Sequence, residues 1–422
     1  MPHLTPEQVR IIRVTASVIK EHGTTVTSLF YKTVLEEYPS LKNVFNHTNQ
    51  ANNHQAKALA GSLYAYASHI DDLGALSSTF EKICHKHASL YIQPEHYKIV
   101  GEGLIRAMGN ILGEAFTPEV KDAWEAAYWQ LANILFGREN QLYQDSKGWT
   151  DWRDFTISAK VKESSEITSI YLKPVDGSNL PEYLPGQYIS LLTDVPSFGY
   201  MQSRQYSLSD APHTDQYRIS VKREEGLAPG DRSGWISNIL HSDKKIGDVV
   251  QLSHPAGDFF YNPETDAESP VVLLSAGVGV TPMISILNTL VERGSEQPIA
   301  FIHGARNSSA RAFGSHVRHI AAKNENVKAS FFVKNLSERD VVDRDYTHVG
   351  RLTLGKISQA NRKDLWLDDD RTKYFVCGPG GFMADVARGL EGLGVDERRI
   401  KLEVFGKGDI ASSEGKANGV AH

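Results

Sequence analysis

The first third of the chain carries apolar residues at every third or fourth position, with few turn-forming residues between them. This period is typical of amphipathic helices, so we predict an all-α region from Thr5 to about Gln144. Prolines near positions 39, 94 and 118 should separate the helices.

A second pattern extends from Trp152 to about Tyr261, where apolar and polar residues alternate in short runs. Proline and glycine separate the runs "DFTISAKV", "ITSIYLKPV", "QYISLL", "RQYSLS", "YRISVKRE" and "DVVQLSHP". Such runs indicate half-buried strands, so we predict an antiparallel barrel or sandwich of about six strands. One short helix is expected near "WISNILH".

From Pro270 onward, continuous apolar strands alternate with helical segments, as in "PVVLLSAG", "IAFIHGAR", "KASFFVKN", "KYFV" and "IKLEVFG". This order predicts a parallel sheet with crossover helices. The chain should therefore be multidomain. We expect an all-α domain at 1–147, an antiparallel β-barrel domain at 150–262, an α/β parallel-sheet domain at 268–408 and a disordered tail at 409–422.

Composition narrows the classes of partner. The 422 residues carry a formal net charge of −6 and no run of Lys or Arg, so we expect no nucleic acid. No apolar run is long enough for a transmembrane helix, and the N-terminal region does not resemble a signal peptide. The two cysteines lie in unrelated segments, so we expect no disulfide framework and a cytoplasmic location.

Two glycine-rich turns follow apolar strands in the α/β region. The first is "SAGVGVTPM", directly before a helix, and the second is "CGPGGF" at 377–382. Glycines let a phosphate approach the backbone, and a helix N-terminus offers free N–H groups, although ordinary αβ turns contain such glycines too. Two such turns at the carboxyl ends of parallel strands favour a dinucleotide. The spacing differs from the GxGxxG form of ordinary Rossmann dehydrogenases.

The β region holds a candidate flavin site. In "RQYSLS", Arg204 and Tyr206 share one face of a strand, which suits a phosphate and a flat ring, although an ordinary exposed strand could look the same. "PGQY" adds Tyr188, and "GWIS" places Ser237 at the expected N-cap of the short helix. The motifs RxYS, Gly-x-x-Ser, GxGxTP and CGPxxF, in this order, resemble the ferredoxin-reductase family of flavin enzymes.

That resemblance implies FAD in the β domain and NADH or NADPH in the α/β domain. The residues that it assigns to FAD are Tyr188, Arg204, Gln205, Tyr206, Ser207, Gly234 and Ser237. Those that it assigns to the dinucleotide are Gly277, Val278, Gly279, Val280, Thr281, Pro282, Cys377, Gly378 and Pro379. Arg306 could meet a 2′-phosphate or be an ordinary surface residue, so the choice of coenzyme stays open.

The segment "KICHKHASLYIQPEHYKIV", residues 82–100, concentrates candidate metal ligands in a predicted helix. Helical spacing gives an apolar stripe of Phe80, Ile83, Cys84 and His87. The opposite face carries Glu81, Lys82, His85, Lys86 and Ser89. We therefore expect His85 to be solvated and His87 to point inward. An inward histidine is more often a hydrogen-bonded core residue than a ligand, and both interpretations remain open here.

Other predicted helices carry single polar side chains on apolar faces, namely Tyr31, Gln55 and Glu139. A buried polar group is costly unless something pairs with it. Several in one helical domain indicate a polar ligand in its interior.

A helical domain of this length with one inward histidine, and with "YPSLKNVF" ending in Phe45, resembles a globin. Followed by the flavin module, it makes the chain resemble the flavohaemoglobins over nearly its whole length, apart from the tail. The resemblance implies haem b with iron on His87, and Tyr97 and Glu139 as partners of that histidine. The other implied pocket residues are Tyr31 and Gln55 on the distal side, Leu59 over the iron and Phe45 against the porphyrin. Further implied cofactor contacts are Lys86, Glu403, Val404, Phe405, Gly406 and Lys407.

The resemblance also implies an activity. A flavohaemoglobin passes electrons from NAD(P)H through FAD to haem and converts nitric oxide and O2 to nitrate, which makes it a nitric oxide dioxygenase that removes nitric oxide. The small molecules O2 and NO are the expected partners, and we expect a monomer with no obligatory protein partner. Two alternatives are an NAD(P)H flavin or haem reductase whose globin domain senses or stores oxygen, and a haem sensor or carrier without turnover. A carboxylate on the histidine would favour oxygen activation over storage.

Overall fold

Helices form the first part of the chain. The computed structural model describes residues 4–46, 53–146, 148–225 and 234–405. The helices are α1 (Pro6–Glu37), α2 (His54–Ser68), α3 (Ser77–Ala88), α4 (Pro94–Leu112) and α5 (Pro118–Asp145). Short 3₁₀ turns lie at Pro39–Asn43, Leu73–Leu76 and Gly113–Ala115.

Local sequence signals fix where several helices begin. The Thr5 hydroxyl accepts a hydrogen bond from the Gln8 N–H at 3.2 Å, and Gln8 Oε1 accepts one from the Thr5 N–H at 2.9 Å. Prolines begin α1, α4 and α5, where the missing N–H has no partner to lose. The predicted helical breaks near the prolines are confirmed.

The core of the helical part lies between α1, α2, α4 and α5. Its largest side chains are buried, among them Phe30, Tyr66, Leu104 and Trp124. Gly101 in α4 is required by close packing, because a Cβ at this position would collide with the ring of Tyr128 in α5. A smaller cluster around Cys84 and Leu135 joins α3 to α5.

An antiparallel sheet follows the helices. Its strands are β1 (Arg153–Lys162), β2 (Ile167–Pro174), β3 (Tyr188–Val195), β4 (Tyr200–Ser207), β5 (Tyr217–Lys222) and β6 (Val249–Leu252). They are ordered β4-β3-β6-β1-β2-β5, and a bridge between Leu208 and Ile219 links the end of β4 to β5. That bridge closes the sheet into the predicted barrel. The expected short helix is α6 (Trp235–Asn238), continued by a π-helical turn at Ile239–Asp243.

The third part is the predicted parallel sheet with helices on both faces. Its strands are β7 (Val271–Ala276), β8 (Ile299–Ala305), β9 (Val327–Val333), β10 (His348–Val349), β11 (Lys373–Gly378) and β12 (Ile400–Val404), in the order β10-β9-β8-β7-β11-β12. One face packs on α7 (Val280–Glu292) and α8 (Gly314–Lys323), the other on α9 (Leu354–Ala360) and α10 (Gly380–Gly392). The two-residue β10 is too short to produce a sequence pattern.

The described residues fall into two compact units. One contains the helical part up to Trp152 together with residues 192–204, and the other contains residues 153–191 and 205–405. Residues 192–204 belong with the helices because their backbone and side chains bond to the turn after α1. The Met201 N–H donates to Asn43 Oδ1 at 2.9 Å, and Gln202 Nε2 donates to the carbonyl of Lys42 at 2.8 Å.

Candidate functional site

Three side chains from three helices meet inside the helical unit. His87, near the end of α3, places Nδ1 2.8 Å from Oε1 of Glu139 in α5. The hydroxyl of Tyr97, in the first turn of α4, donates to the same oxygen at 2.6 Å and lies 3.0 Å from His87 Nδ1. Glu139 is fully buried and Tyr97 is nearly so. The structure therefore brings together residues that lie up to 52 positions apart in the chain.

The hydrogen bonds of this triad define which ring nitrogen of His87 is free. Burial, followed by the charge of Glu139, raises the pKa of Tyr97 far above its usual value, so the phenol keeps its proton. Tyr97 and the Nδ1–H of His87 are therefore two donors to one carboxylate oxygen. No described residue bonds to His87 Nε2, and 32% of the side chain stays exposed. Nε2 is therefore the ring nitrogen of His87 that is available to a ligand.

Tyr128, which the sequence interpretation overlooked, supports the triad. Its hydroxyl donates to the backbone carbonyl of Tyr97 at 2.6 Å. Its ring fills the space that Gly101 leaves one turn later in α4. Because Tyr128 and Glu139 both lie on α5, this bond fixes how far α4 is displaced along α5, and so where Tyr97 lies relative to Glu139. The only sign of this role in the sequence was the hydroxyl group of Tyr128 on the apolar stripe of α5.

Tyr91, also overlooked, closes the helix that carries His87. Its φ is 53°, a left-handed conformation that glycine normally adopts at a helix end. The Ile92 N–H donates to the His87 carbonyl at 3.1 Å, and the Tyr91 N–H donates to the Ala88 carbonyl at 3.1 Å, which together form a Schellman motif. The Tyr91 ring packs on Trp152, with centroids 5.4 Å apart.

A second polar pair lies between α1 and α2. Tyr31 is buried and hydrogen-bonded to Gln55. Burial raises the pKa of Tyr31 above its usual value, and the bond to Gln55 opposes part of that shift. The ring of Phe45 meets Tyr31 edge-on at 5.3 Å, and Leu59 packs against the same core, one turn after Gln55. The four predicted residues therefore lie in one cluster, with a protonated phenol at its centre.

The prediction for His85 is wrong. His85 is 9% exposed, and its Nε2 lies 3.2 Å from Glu81 Oε1, one turn earlier. Arg138 in α5 donates to the same carboxylate at 2.8 Å, so a polar group on the neighbouring helix covers this face of α3. Ser89, placed on the same solvated face, is fully buried and donates to the carbonyl of Lys86 at 2.8 Å. Cys84 is a buried core residue as expected.

Two cations of the helical unit influence each other. Lys86 is exposed, yet its pKa is lowered, first by partial desolvation and then by the charge of Arg204. Arg204 is the last residue of the 192–204 segment, which belongs to this unit. A second positive charge nearby disfavours the charged form of a lysine, which an anion bound beside both would offset.

β4 carries the candidate flavin residues in consecutive positions. Gln205 donates to the Ser190 hydroxyl at 3.0 Å. The Ser207 hydroxyl is buried and has no hydrogen-bond partner within the described part of the chain. A buried polar atom without a partner is costly, so this hydroxyl fits a site whose partner is a ligand. Tyr206 is half-buried between them.

The other barrel residues are placed partly as predicted. Tyr188 begins β3, and its ring lies so close to Gly257 that a Cβ there would approach within 3.0 Å. The N-cap prediction for Ser237 is wrong: Gly234, with φ of 77°, is the N-cap of α6, and Ser237 is its third residue. Ser237 donates to the Gly234 carbonyl at 2.8 Å, because the left-handed glycine starts the helix three residues earlier.

The two glycine turns touch each other. β7 and β11 are neighbouring parallel strands with Ser275 opposite Cys377, so both turns lie at one edge of the sheet. A Cβ on Gly279 would collide with the Cys377 carbonyl and lie 2.7 Å from the Gly378 nitrogen. Gly277 has φ of 59° and open space around it. α7 begins at Val280, with Thr281 and Pro282 in its first turn, as predicted.

The predicted C-terminal contacts are only partly described. Glu403 pairs with Cys377 across β12 and β11, and burial followed by the charge of Glu403 raises the pKa of the Cys377 thiol. Val404 ends β12, and Phe405 packs against the core of the parallel sheet. Gly406, Lys407, residues 226–233 and the predicted tail 409–422 lie outside the described residues. Arg306 is 68% exposed and forms an ion pair with Glu166.

Comparison with known proteins decides the family. Residues 28–135 match the Globin family, and residues 273–388 match the Oxidoreductase NAD-binding domain family. A flavohemoprotein of Bordetella pertussis is 45% identical over 413 residues, which cover 97% of this chain and 100% of the relative. The chain belongs to the flavohaemoglobin family. The predicted family and fold class are confirmed.

Solved structures agree with this flavohaemoglobin assignment. The flavohemoglobin of Malassezia yamatoensis, with bound FAD and heme, superposes with a TM-score of 0.82 at 28% identity, covering 96% of this chain and all of that one. The flavohem-like FAD/NAD binding domain of nitric oxide dioxygenase from Vibrio cholerae is 36% identical, covering 61% of this chain and 99% of that one, with a TM-score of 0.53.

Membership of the flavohaemoglobin family, with its NAD-binding oxidoreductase region, makes the chain an oxidoreductase. Within the described ranges of this flavohaemoglobin, no helix is long and apolar enough to cross a membrane.

Proposed function

We propose that the chain is an NAD(P)H-dependent nitric oxide dioxygenase, which uses haem b and FAD to convert nitric oxide and O2 to nitrate. The observation that carries the proposal is the bond from His87 Nδ1 to Glu139, supported by Tyr97. A passive oxygen carrier needs no carboxylate behind its histidine, whereas a catalyst of oxygen chemistry gains from an electron-rich ligand.

The helical unit fits a haem. His87 would hold the iron through Nε2, the ring nitrogen that no described residue engages. Tyr97 and Glu139 would fix the imidazole ring and raise its basicity. Phe45 would pack on the porphyrin, and Leu59 would cover the iron. We infer residues 1–147 as the extent of this domain.

The barrel and the parallel sheet fit FAD and NAD(P)H. The buried Ser207 hydroxyl, without a described partner, supports a flavin contact, and the paired cations Lys86 and Arg204 support an anionic cofactor. We propose 150–262 as the FAD domain, with contacts from Tyr188, Arg204, Gln205, Tyr206, Ser207, Gly234 and Ser237. We propose 268–408 as the NAD(P) domain, with contacts from 277–282 and 377–379, and 403–407 as further cofactor contacts.

When bound, NAD(P)H supplies hydride to FAD, FAD supplies single electrons, and the haem iron supplies the site at which O2 and nitric oxide combine. The protein's share of this chemistry is positional. At the turn between β7 and α7, Gly277 leaves space beside free N–H groups, which suit the pyrophosphate. At the carboxyl edge of β11, the Cys377 thiol stays protonated because burial raises its pKa.

Tyr31 would act on the other side of the haem. Its raised pKa keeps the phenol protonated, so it can donate a hydrogen bond toward oxygen. The bond with Gln55 orients that phenol. Removing such a donor is expected to weaken oxygen binding by about 1–3 kcal/mol.

The alternative is an NAD(P)H flavin or haem reductase whose globin domain senses or stores oxygen. Anaerobic reduction of the purified protein with NADH separates the dioxygenase from a flavin reductase, and the nitric oxide test below separates it from a haem reductase. The dioxygenase requires both the flavin and the haem spectra to change. A haem that stays ferric while the flavin bleaches would remove the dioxygenase mechanism.

Nitric oxide consumption in air gives the second test. A dioxygenase needs both NAD(P)H and O2, and its product is nitrate. Tyr31→Phe should slow this consumption about tenfold or more, whereas Tyr66→Phe, which removes a phenol bonded to Gln130 at 2.6 Å, serves as the matched control. Full activity of Tyr31→Phe would remove the proposed role of Tyr31. The cytoplasmic location and the monomeric state stay predictions.

A further inference from the structure

One residue joins the barrel to the dinucleotide helix. Asp210 lies three positions after Ser207, in the loop that leaves β4. Its backbone carbonyl accepts a hydrogen bond from the Ser285 hydroxyl at 2.7 Å, and its carboxylate accepts one from Asn288 Nδ2 at 2.7 Å. Ser285 and Asn288 lie one turn apart on α7, the helix that begins directly after the glycine turn.

The barrel side of this contact is rigid. Tyr183, which is buried, donates to the same Asp210 carbonyl at 2.7 Å. Arg218 in β5 lies 3.2 Å from the Asp210 carboxylate and also donates to the Ser209 carbonyl. The carbonyl and the carboxylate of Asp210 are therefore both held by barrel residues, and Asp210 cannot shift without breaking several of these bonds.

The helix side is fixed as well. Asn288 accepts a hydrogen bond from His316 Nε2 in α8 at 2.7 Å, which ties α7 to its neighbour. Ser285 is fully buried and Asn288 is nearly so. Glu292, at the end of α7, lies near the same loop: one side-chain N or O atom of each of Asp210, His213 and Glu292 lies within 4.8 Å of the other two. Ser285 and Asn288 are buried polar groups on a largely apolar helix. We infer that their bonds to Asp210 fix one position of α7 against the barrel, which apolar packing alone would not do.

We propose that Asp210 is a positioning residue for hydride transfer, which sets the distance between the flavin strand β4 and the dinucleotide helix α7. The inference rests on the proposed placement of FAD along β4 and of NAD(P)H at the turn before α7. In the transfer, the C4–H bond of the dihydronicotinamide breaks, and its electron pair and proton move together to flavin N5, leaving NAD(P)⁺ and reduced FAD. Such a step needs the two atoms about 3–3.5 Å apart, so a small shift of α7 has a large effect.

The test is a double variant, Ser285→Ala with Asn288→Leu, which removes both bonds from α7 to Asp210. Stopped-flow reduction of bound FAD by NADH should slow about tenfold or more, since a misplacement of the reacting atoms by about 1 Å can cost about 100-fold. KM for NADH should change less than the limiting rate. The charge-transfer absorbance that NAD⁺ gives when stacked on the flavin should weaken, which is a readout independent of turnover.

Tyr261→Phe is the matched control. It removes a buried hydrogen bond to Gln297 Oε1 at 3.2 Å, in the same compact unit. Gln297 precedes β8, so this bond lies at the amino edge of the sheet, away from the glycine turns. If the two proteins lose similar thermal stability but only the double variant loses hydride transfer, Asp210 acts by positioning.

Two further variants keep the test decisive if the double variant does not fold. Ser285→Ala alone and Asp210→Asn alone each weaken the contact while keeping most of its bonds, and each should slow flavin reduction. Wild-type rates in both would overturn the inference. A wild-type protein that binds no FAD, or whose FAD is not reduced by NADH, would instead contradict the proposed function.

Discussion

The histidine triad and the dinucleotide turns place their groups by different means. In the triad, side chains from three helices meet over 2.6–3.0 Å, and Tyr97 and His87 each donate one hydrogen bond to Glu139. In the turns, two backbone loops touch, and Gly279 matters for the Cβ that it lacks. Hydrogen bonds can be removed one at a time, whereas close backbone packing tolerates no added atom. Each substitution in the triad should therefore remove only part of its function, whereas a single added methyl group in the glycine turns should remove most of theirs.

The largest effect is expected at the backbone-built site. Gly279→Ala would push a methyl group into the Cys377 carbonyl. We expect a loss of about 1–3 kcal/mol in the free energy of unfolding and a fall of about 100-fold in NADH-driven flavin reduction, because the two turns must separate. Chemical denaturation and stopped-flow absorbance measure the two quantities. Gly392→Ala, at the far end of α10, is the control, since nothing lies within 4 Å of its Cβ, and equal effects of both changes would contradict the packing argument.

A smaller, stepwise effect is expected in the triad. Tyr97→Phe removes one of the two donors to Glu139 and leaves the other. Loss of a partner behind a metal-bound histidine typically costs about 10–100-fold in activity, and the haem reduction potential should shift as well. Spectroelectrochemistry and nitric oxide consumption measure these, with Tyr66→Phe as control. An unchanged potential would show that Tyr97 does not influence the histidine.

Ser207 extends the comparison to the candidate flavin site, where a single side chain is expected to contact the cofactor. Its hydroxyl has no described partner, so Ser207→Ala should leave the stability of the apoprotein unchanged. FAD affinity should fall by about 1.5–3 kcal/mol, the range for a hydrogen bond to a charged group. Fluorescence titration of apoprotein with FAD measures this loss.

Ser209→Ala is the contrasting variant for Ser207→Ala. Ser209 is bonded to Ser220 at 2.7 Å inside the protein, so its removal should lower stability without a specific loss of FAD. If Ser207→Ala destabilises the apoprotein as much as Ser209→Ala does, its hydroxyl has a structural partner and the flavin argument fails.

The smallest effect concerns pH. The hydrogen bonds from Arg138 hold the pKa of Glu81 below its usual value, and burial opposes this shift. Because the folded pKa lies below the unfolded one, Glu81 stabilises the protein above its unfolded pKa, and this contribution disappears as pH falls through the folded pKa. The partly exposed pair should contribute about 0.2–1 kcal/mol.

Urea unfolding of wild type and Arg138→Gln at neutral pH and below about pH 4 measures this contribution. The difference between the two proteins should shrink on acidification. Arg10→Gln, which removes a fully exposed pair with Glu7, should show almost no difference at either pH. A difference for Arg138→Gln that does not depend on pH would show that packing, not charge, is lost.

Contiguous motifs were readable from the residue pattern, whereas contacts between distant segments came only from the family resemblance or from the folded structure. The glycine turns could be located because each is a single string after an apolar strand. That the turns touch each other follows only from the adjacency of β7 and β11. Asp210 carries no motif, because its partners lie 75 and 78 residues away.

Periodicity also has a physical limit, which His85 illustrates. A helical stripe shows where apolar side chains point, and it predicted the inward face of His87. It does not show that Arg138, 57 residues after Glu81 and on another helix, is a partner of Glu81 and so covers His85. Ser237 failed for a related reason. A left-handed glycine can begin a helix, so the first serine in the string need not be the cap.

Residue patterns alone gave the order of the three folds, the apolar stripes of the helices and the two glycine turns, but not the burial of His85 and Ser89 on the polar face of α3. These features depend on local hydrophobic periodicity and on the backbone conformations that each residue type allows. The family resemblance named Glu139 and Tyr97 as partners of His87, and the folded structure supplied the distances at which the three meet. The support from Tyr128 and Tyr91, and the connection of β4 to α7 through Asp210, became visible only in the folded structure. Such contacts depend on which distant surfaces pack together, and no local pattern encodes the distance between two atoms on different helices or loops.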